Sequence, residues 1–394
     1  MSRTLSMSRS KTGVLPFALV LTYLVVIVVV DLVTPSNLRL DMYAALAPMT
    51  AAALCTYRQT VFVGVLDFSL MVAHHGVLPT DMPAVNRVGS AVGNALMAGA
   101  SIALARLRRE EVSLLERVRV TGEAAQRALL RPLPLRTRRV VVDGFYVSSQ
   151  RESLIGGDIY EVVDTPYGTR VLIGDVRGKG LGTLGAGAAV LTAFREAAYH
   201  RRDLGSGVVA MEQGLYRYHR SAEYQASSGG AQASEEFVTA LVFGTEEDPG
   251  ARSGAQGAVP VVFLDCGHVA PFLIGSDGGV HELEQEPGLP LGLGNLVAES
   301  RSSRRIALPP DCRVLACTDG VTEARAADGG FYPLAERLNA WAALSTPELL
   351  ARLRADLDAH TGGRLQDDVA VLVMERAPGT PAGPGSADGS REGC

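Results

Sequence analysis

Residues 14–32, VLPFALVLTYLVVIVVVDL, form an apolar run with one charge, Asp31, near its far end. Such a run is about long enough to cross the ~30 Å hydrocarbon core of a bilayer. It limits the N-terminal part to a membrane span or a cleaved leader. A leader would have a shorter apolar core followed by a small-residue cleavage site. Three further apolar runs follow instead: 42–57 (MYAALAPMTAAALCTY), 60–74 (TVFVGVLDFSLMVAH) and 88–105 (VGSAVGNALMAGASIALA). The second and third of the four are short for full spans, and Asp67 inside the third is costly in lipid unless it faces protein or water. Arg3, Arg9 and Lys11 precede the first run, while Arg106, Arg108 and Arg109 follow the last. The positive-inside bias therefore puts both flanks in the cytoplasm and demands an even number of crossings, four by this reading and two otherwise. Gly89, Gly93, Ala95, Gly99 and Ala100 suit close packing of the last run against other helices.

Composition sharpens the division. Charged residues are 20% of the 394, yet apolar residues concentrate before about residue 106. A net charge of -5 with no basic stripe excludes a general nucleic-acid binder. Cys55, Cys266, Cys312, Cys317 and Cys394 are odd in number and scattered, which fits neither a disulfide framework nor a paired zinc site and suits a reducing cytoplasm.

The expected organisation is a transmembrane helical region over 1–106, a linker helix over 107–136, a catalytic domain over 137–376 and an unstructured tail over 377–394. In the linker, Val112, Leu115, Val118 and Leu129 recur near helical spacing among Arg and Glu, and Pro132 and Pro134 end the helix. It reads as a spacer with some capacity to form a homodimer. Beyond it, short apolar strands punctuated by glycine alternate with helices that come mostly in adjacent pairs, an order that favours an α+β sandwich over a doubly wound parallel sheet. The polar stretch 226–236 (ASSGGAQASEE) reads as an unstructured insertion.

Aspartates recur at strand ends beside glycine or each other: Asp158 after Gly156 and Gly157, Asp175 after Gly174, Asp319 before Gly320, and the pair Asp367 and Asp368. One Asp-Gly is an ordinary turn signal. Several carboxylates gathered at one place repel, and must take up protons or bind a cation. Oxygen ligands without a matching Cys or His set favour a hard ion, Mg²⁺ or Mn²⁺, over zinc. A nucleotide phosphate loop is the rival reading of GDVRGKG, but the Gly-x4-Gly-Lys-Ser/Thr spacing is missing.

Taken in order, GGDIYE, GDVRGKG, FVTA, DCGH, TDGVTEAR and QDDVAVL resemble the stage II sporulation protein E branch of the protein phosphatase 2C-like (PPM) metal-dependent serine/threonine phosphatases. AQRALLRPLP is similar to that family's linker helix. The resemblance implies a four-layer α/β/β/α sandwich preceded by an all-α transmembrane module, with two Mn²⁺ or Mg²⁺ ions at one edge. It implies that Asp175, Asp319 and Asp367 are the catalytic residues. Asp175 would bridge both ions, the backbone carbonyl of Val176 would complete one, and Asp319 and Asp367 would hold the other. Asp158 and Asp368 stand close by, in the metal set.

The implied protein is a multi-pass cell-membrane phosphatase with its catalytic domain in the cytoplasm, acting on a phosphorylated, anti-anti-sigma-like protein. A non-catalytic phosphoprotein scaffold and a small-molecule phosphoesterase remain alternatives. The family usually has Asn-Ala where this chain has Asp265-Cys266, and Glu161 replaces a common aspartate. His268 reads as a leaving-group acid or as part of a strand-end turn, Cys266 as a buried structural thiol, and Thr239 as a packing residue. Arg177 and Lys179 read as phosphate-attracting or simply solvated.

Overall fold

The computed structural model describes residues 5–33, 41–77, 83–149, 156–178, 181–229, 236–246, 258–275, 278–294 and 301–378. The chain divides into two compact units, Met1–Arg117 and Val118–Cys394.

The first unit is helical: α1 (Leu5–Val33), α2 (Asp41–Ala44), α3 (Leu46–Leu54), α4 (Tyr57–Val77) and the first part of α5 (Ala84–Leu129). Val20 and Leu24 of α1 are buried with Ala47 and Ala51 of α3 and Val63 of α4. The outer faces stay apolar, with Val14, Leu15, Leu19, Val25 and Val29 of α1 all more than half exposed. By length and composition, two described stretches are apolar enough to cross a membrane, Val14–Asp31 and one within Arg87–Leu129. The run at 42–57 is broken between α2, α3 and the start of α4, and the nine residues of α3 rise only ~13 Å. Asp67 is turned inward and is 2% exposed. The Arg108 guanidinium donates to the Ala52 carbonyl at 3.2 Å and also to that of Ala53, satisfying carbonyls that the end of α3 leaves open. α5 passes position 106 without a break and ends at Leu129.

The second unit holds two antiparallel sheets. One runs in the order β1 (Leu135–Arg136), β2 (Val140–Val147), β11 (Val369–Arg376), β10 (Arg313–Cys317), β7 (Phe272–Ile274), β8 (Val280–Glu282). The other runs β3 (Asp158–Thr165), β4 (Gly168–Arg177), β5 (Phe237–Thr245), β6 (Val259–Cys266), β9 (Ser303–Leu308). Side chains alternate faces along a strand. On β11, Ala370, Leu372 and Met374 enter the core between the sheets, where they meet Tyr160, Val162, Ile173 and Phe243. Val369, Val371 and Val373 face the other way, into a core with α9 (Leu334–Trp341) and α10 (Thr346–Thr361). On β3, Ile159 and Val163 pack against α6 (Leu181–His200) and α7 (Leu204–Gly229). The layers are therefore helix, sheet, sheet, helix, as the α+β expectation requires.

Two differences from the sequence reading have physical causes. The polar stretch from 226 is helical as far as Gly229, because α7 extends into it; 230–235 lie outside the described residues. β9 shows apolar alternation only in its second half, where Ile306 and Leu308 face the core; it is an edge strand whose Arg304 and Arg305 are exposed and discourage pairing with another chain. Of the expected tail, only 377 and 378 are described.

Candidate metal centre

Both sheets end at one edge in carboxylates. Asp158 opens β3 and is the direct cross-strand partner of Asp175 near the end of β4, and Asp175 in turn pairs with Thr239 on β5. From the other sheet, β10 leads into Thr318 and Asp319, where the short helix α8 (Asp319–Thr322) begins, and Asp367 and Asp368 immediately precede β11. The sheets are tied together here. Thr318 Oγ1 donates to Asp158 Oδ2 at 2.7 Å and accepts from the Ala370 N–H at 2.9 Å. Asp368 Oδ1 accepts from the Ser149 N–H at 2.7 Å, and its Oδ2 accepts from the Tyr146 hydroxyl at 2.8 Å.

The glycines before Asp158 are required by space. A Cβ on Gly156 would lie 1.5 Å from Asp368 Oδ2, and one on Gly157 would lie 2.3 Å from Asp175 Oδ1 and 2.8 Å from the Val176 carbonyl oxygen. Asp175 and the Val176 carbonyl thus converge over the same bare backbone. After β4, Gly178 adopts φ 149°, outside the range of most L residues, and α6 begins at Leu181.

The electrostatics match a crowded acidic site. Burial, then the charge of Asp175, pushes the Asp158 carboxyl well above its ordinary range, although the Thr318 hydroxyl opposes this. Asp175 is raised to about 7 by burial and by Asp319, Asp367 and Asp368. Asp319 is raised by burial and by Asp367. Burial raises Asp368 too, against the opposing bonds from Ser149 and Tyr146. Each of the five predicted carboxylates interacts with at least one other, and the cluster is poised to take up positive charge.

Whether these residues suit a hard cation is answered by the donor set. The donors are carboxylate and carbonyl oxygens, and the glycine cradle leaves room that a Cβ would fill. Among the described residues, no three His, Cys, Asp or Glu side chains stand close enough to grip one ion by themselves. Backbone oxygen and water would have to share the coordination, which is usual for Mg²⁺. A cleft of about 200 Å³ opens beside Asp319 and Asp367 and is lined also by Glu323, Arg325 and Gln366. The Arg325 guanidinium lies 4.2 Å from the centre of the Phe331 ring, which orients it.

The neighbouring polar residues resolve into structural parts. Asp265, at the Asn-Ala departure, accepts from the His268 N–H at 2.8 Å and the Gly288 N–H at 2.9 Å, holding a turn in which Gly267 has φ 73°. His268 is lowered to about 4 by burial, so it is neutral at pH 7 and unsuited to protonate a leaving group. Burial pushes the Cys266 thiol up to about 12, which removes it as a nucleophile. Glu161 is fully buried and paired with Arg131 at 3.0 Å and with Arg195. Arg177 stacks over Phe237, with its guanidinium 5.4 Å from the ring centre, and Lys179 lies outside the described residues.

Sequence reasoning missed Thr318, Tyr146, Ser149, Arg325 and Gln126. Thr318 and Arg325 flank the acidic position inside TDGVTEAR, so the motif itself carried their signal. The other three are separated from their partners by long stretches of chain and had none.

The stage II sporulation protein E (SpoIIE) family model matches residues 165–377, slightly more than half of the chain. A comparison with curated proteins returns no match. Among solved structures, the RsbU and RsbW domains of Rv1364c from Mycobacterium tuberculosis are 22% identical with a TM-score of 0.45, over 62% of this chain and 61% of that one. The SiaA PP2C domain of Pseudomonas aeruginosa is 16% identical with a TM-score of 0.49, over 69% of this chain and 99% of that one. The PP2C phosphatase domain of SpoIIE from Bacillus subtilis, with a fragment of its regulatory domain, is 14% identical with a TM-score of 0.46, over 62% of this chain and 66% of that one.

Proposed function

The chain belongs to the stage II sporulation protein E family and carries its PP2C-type serine/threonine phosphatase domain, and on that premise we propose that it is a membrane-held, metal-dependent protein phosphatase facing the cytoplasm. The single observation that carries the reading is the meeting of Asp158, Asp175, Asp319, Asp367 and Asp368 from separate strand ends at one edge of the sandwich.

Asp175 and the Val176 carbonyl, which converge over Gly157, would hold one side of a two-ion site of Mn²⁺ or Mg²⁺. Asp319 and Asp367 would hold the other side and open on the cleft. Asp158, fixed by Thr318, backs Asp175. Asp368, with both oxygens already accepting hydrogen bonds, braces the Gly156 turn. Bound there, such ions supply Lewis acidity that readies water for attack and offsets charge on the phosphoryl group. Arg325 presents the cation that orients phosphoryl oxygens in the cleft, a role suited to a planar guanidinium. With Cys266 protonated and His268 neutral, neither forms a covalent intermediate nor donates the leaving-group proton.

The substrate we infer is a phosphoserine or phosphothreonine on a cytoplasmic, anti-anti-sigma-like regulatory protein. The exposed apolar faces of α1 and the apolar stretch of α5 support membrane insertion. Leu107, Val112, Leu114 and Leu115, all exposed on α5, support self-association through that helix. The test is phosphate release by the purified full chain in detergent with Mn²⁺. A phosphoserine protein should be hydrolysed, nucleotides should not, and Asp175→Ala and Asp319→Ala should abolish turnover. Equal turnover by those variants would refute the reading.

A further inference from the structure

On α4, Asp67, Met71 and His74 fall at helical spacing and share one face. That face meets Ile27 and Asp31 near the end of α1 and Ala44 of α2 around a cavity of about 40 Å³, whose remaining wall is aliphatic. The space suffices for about three water-sized groups. Asp67 forms its floor. The residue is 2% exposed, and its Oδ2 meets no hydrogen-bond donor among the described residues. The Asp31 and His74 side chains keep 15% and 28% exposure and stand 3.5 Å apart, Oδ2 to Nε2, so that pair sits at the open side.

A carboxylate oxygen enclosed among aliphatic side chains and lacking a donor needs a proton or a cation. A proton would need neither a cavity nor a second carboxylate facing it. Among the described residues, no three metal-ligating side chains stand close enough to grip one ion, which disfavours a chelated metal. A primary ammonium group carries three N–H donors on one compact charge, and a short alkyl stub on it would meet Ile27 and Met71. We infer that this cavity is a binding site for a small primary ammonium ion, held by Asp67 at the floor and Asp31 at the mouth. Arg9 and Lys11 keep the start of α1 on the cytoplasmic side, so Asp31 lies at the far end and the ion enters from the opposite face of the membrane. This direction of entry rests on the membrane-held reading above, whereas the site itself is built within the helical unit alone.

The experiment measures binding of radiolabelled methylammonium to the full chain in detergent at pH 7, with circular dichroism and thermal unfolding as controls for the fold. Saturable binding of a single ion per chain is expected. Ammonium should displace it; sodium, and tetramethylammonium, which has no N–H donor, should not. Asp67→Asn keeps the shape without the charge and should weaken binding about thirtyfold or more, the usual effect of removing one partner of a buried charge pair. Ala44→Val narrows the cavity with Asp67 in place and should weaken binding about tenfold; it decides the matter if Asp67→Asn does not fold. Absence of saturable binding in the parent, parent-like binding by either folded variant, or equal displacement by sodium would overturn the inference. Release of the chain from membranes by carbonate would remove the direction of entry, while binding in detergent would stand.

Discussion

Asp158 and Asp175 are direct partners across the β3–β4 ladder, and Thr318 Oγ1 holds Asp158 from the opposite sheet at 2.7 Å. Like charges placed directly opposite on a sheet are destabilising unless something offsets them. Their position, buried at the joint between two sheets, supports the proposed cation site over an ordinary acidic turn.

The space over Gly156 gives the first prediction. Gly156→Ala would put a methyl group 1.5 Å from Asp368 Oδ2 and 2.6 Å from the Tyr146 hydroxyl, so the turn must move. Mn²⁺-dependent phosphatase activity should fall by about a hundredfold or more, as misplaced catalytic geometry does. Gly207→Ala, where an added Cβ comes no closer than 4.0 Å to its neighbour Ala197, should retain full activity in the same assay.

A second prediction concerns the metal-free protein. Asp175 titrates at about 7, up from an ordinary 3.8, and Asp158, Asp319 and Asp368 shift in the same direction. Between about pH 4 and pH 7 the folded state keeps a proton that the unfolded chain has released, so stability falls as pH rises through that window. Chelator-treated protein should melt at a lower temperature at pH 8 than at pH 5. Asp175→Asn should flatten that dependence, and Mn²⁺ should raise the melting temperature of the parent at pH 8 but not that of the variant.

Much of the catalytic domain was legible. β3 and β5 coincide with DIYEVVDT and FVTALVFGT, because both faces of these strands are buried and their apolar runs are bounded by Gly or polar turns. The five acidic positions were legible for a chemical reason, since aspartates beside glycines at successive strand ends have few other uses together. Their supports were not. Ser149 and Tyr146 reach Asp368 across more than two hundred residues of chain, and Gln126 reads locally as one more polar residue on a charged helix. β9 was hard to read because its first half carries the exposed Arg304 and Arg305 of an edge strand and only Ile306 and Leu308 alternate into the core.

The departure at Glu161 gives a third prediction. This carboxylate is wholly buried between Arg131, just past α5, and Arg195 of α6, and Arg195 also donates to the Leu129 carbonyl at 2.6 Å. Arg131 is half exposed and Arg195 a third exposed, so water takes over part of what the carboxylate supplied when it is removed. Glu161→Ala should lower stability to denaturant by about 1 to 3 kcal/mol, the loss of hydrogen bonds to a charged group. Its effect on Mn²⁺ affinity should be small by comparison, because the side chain takes no part in the carboxylate edge.

The exposed apolar faces of α1 and α5 predict how the full chain fractionates. It should stay with the membrane pellet after an alkaline carbonate wash and leave it only in detergent. Release by carbonate alone would argue against spanning helices.

The most direct test of the carboxylate edge is diffraction from Mn²⁺-soaked crystals of the full chain, recorded at the manganese absorption edge. Anomalous density is predicted between Asp175, the Val176 carbonyl, Asp319 and Asp367, in front of Gly157. Its absence there, with manganese bound elsewhere and activity intact, would contradict the account.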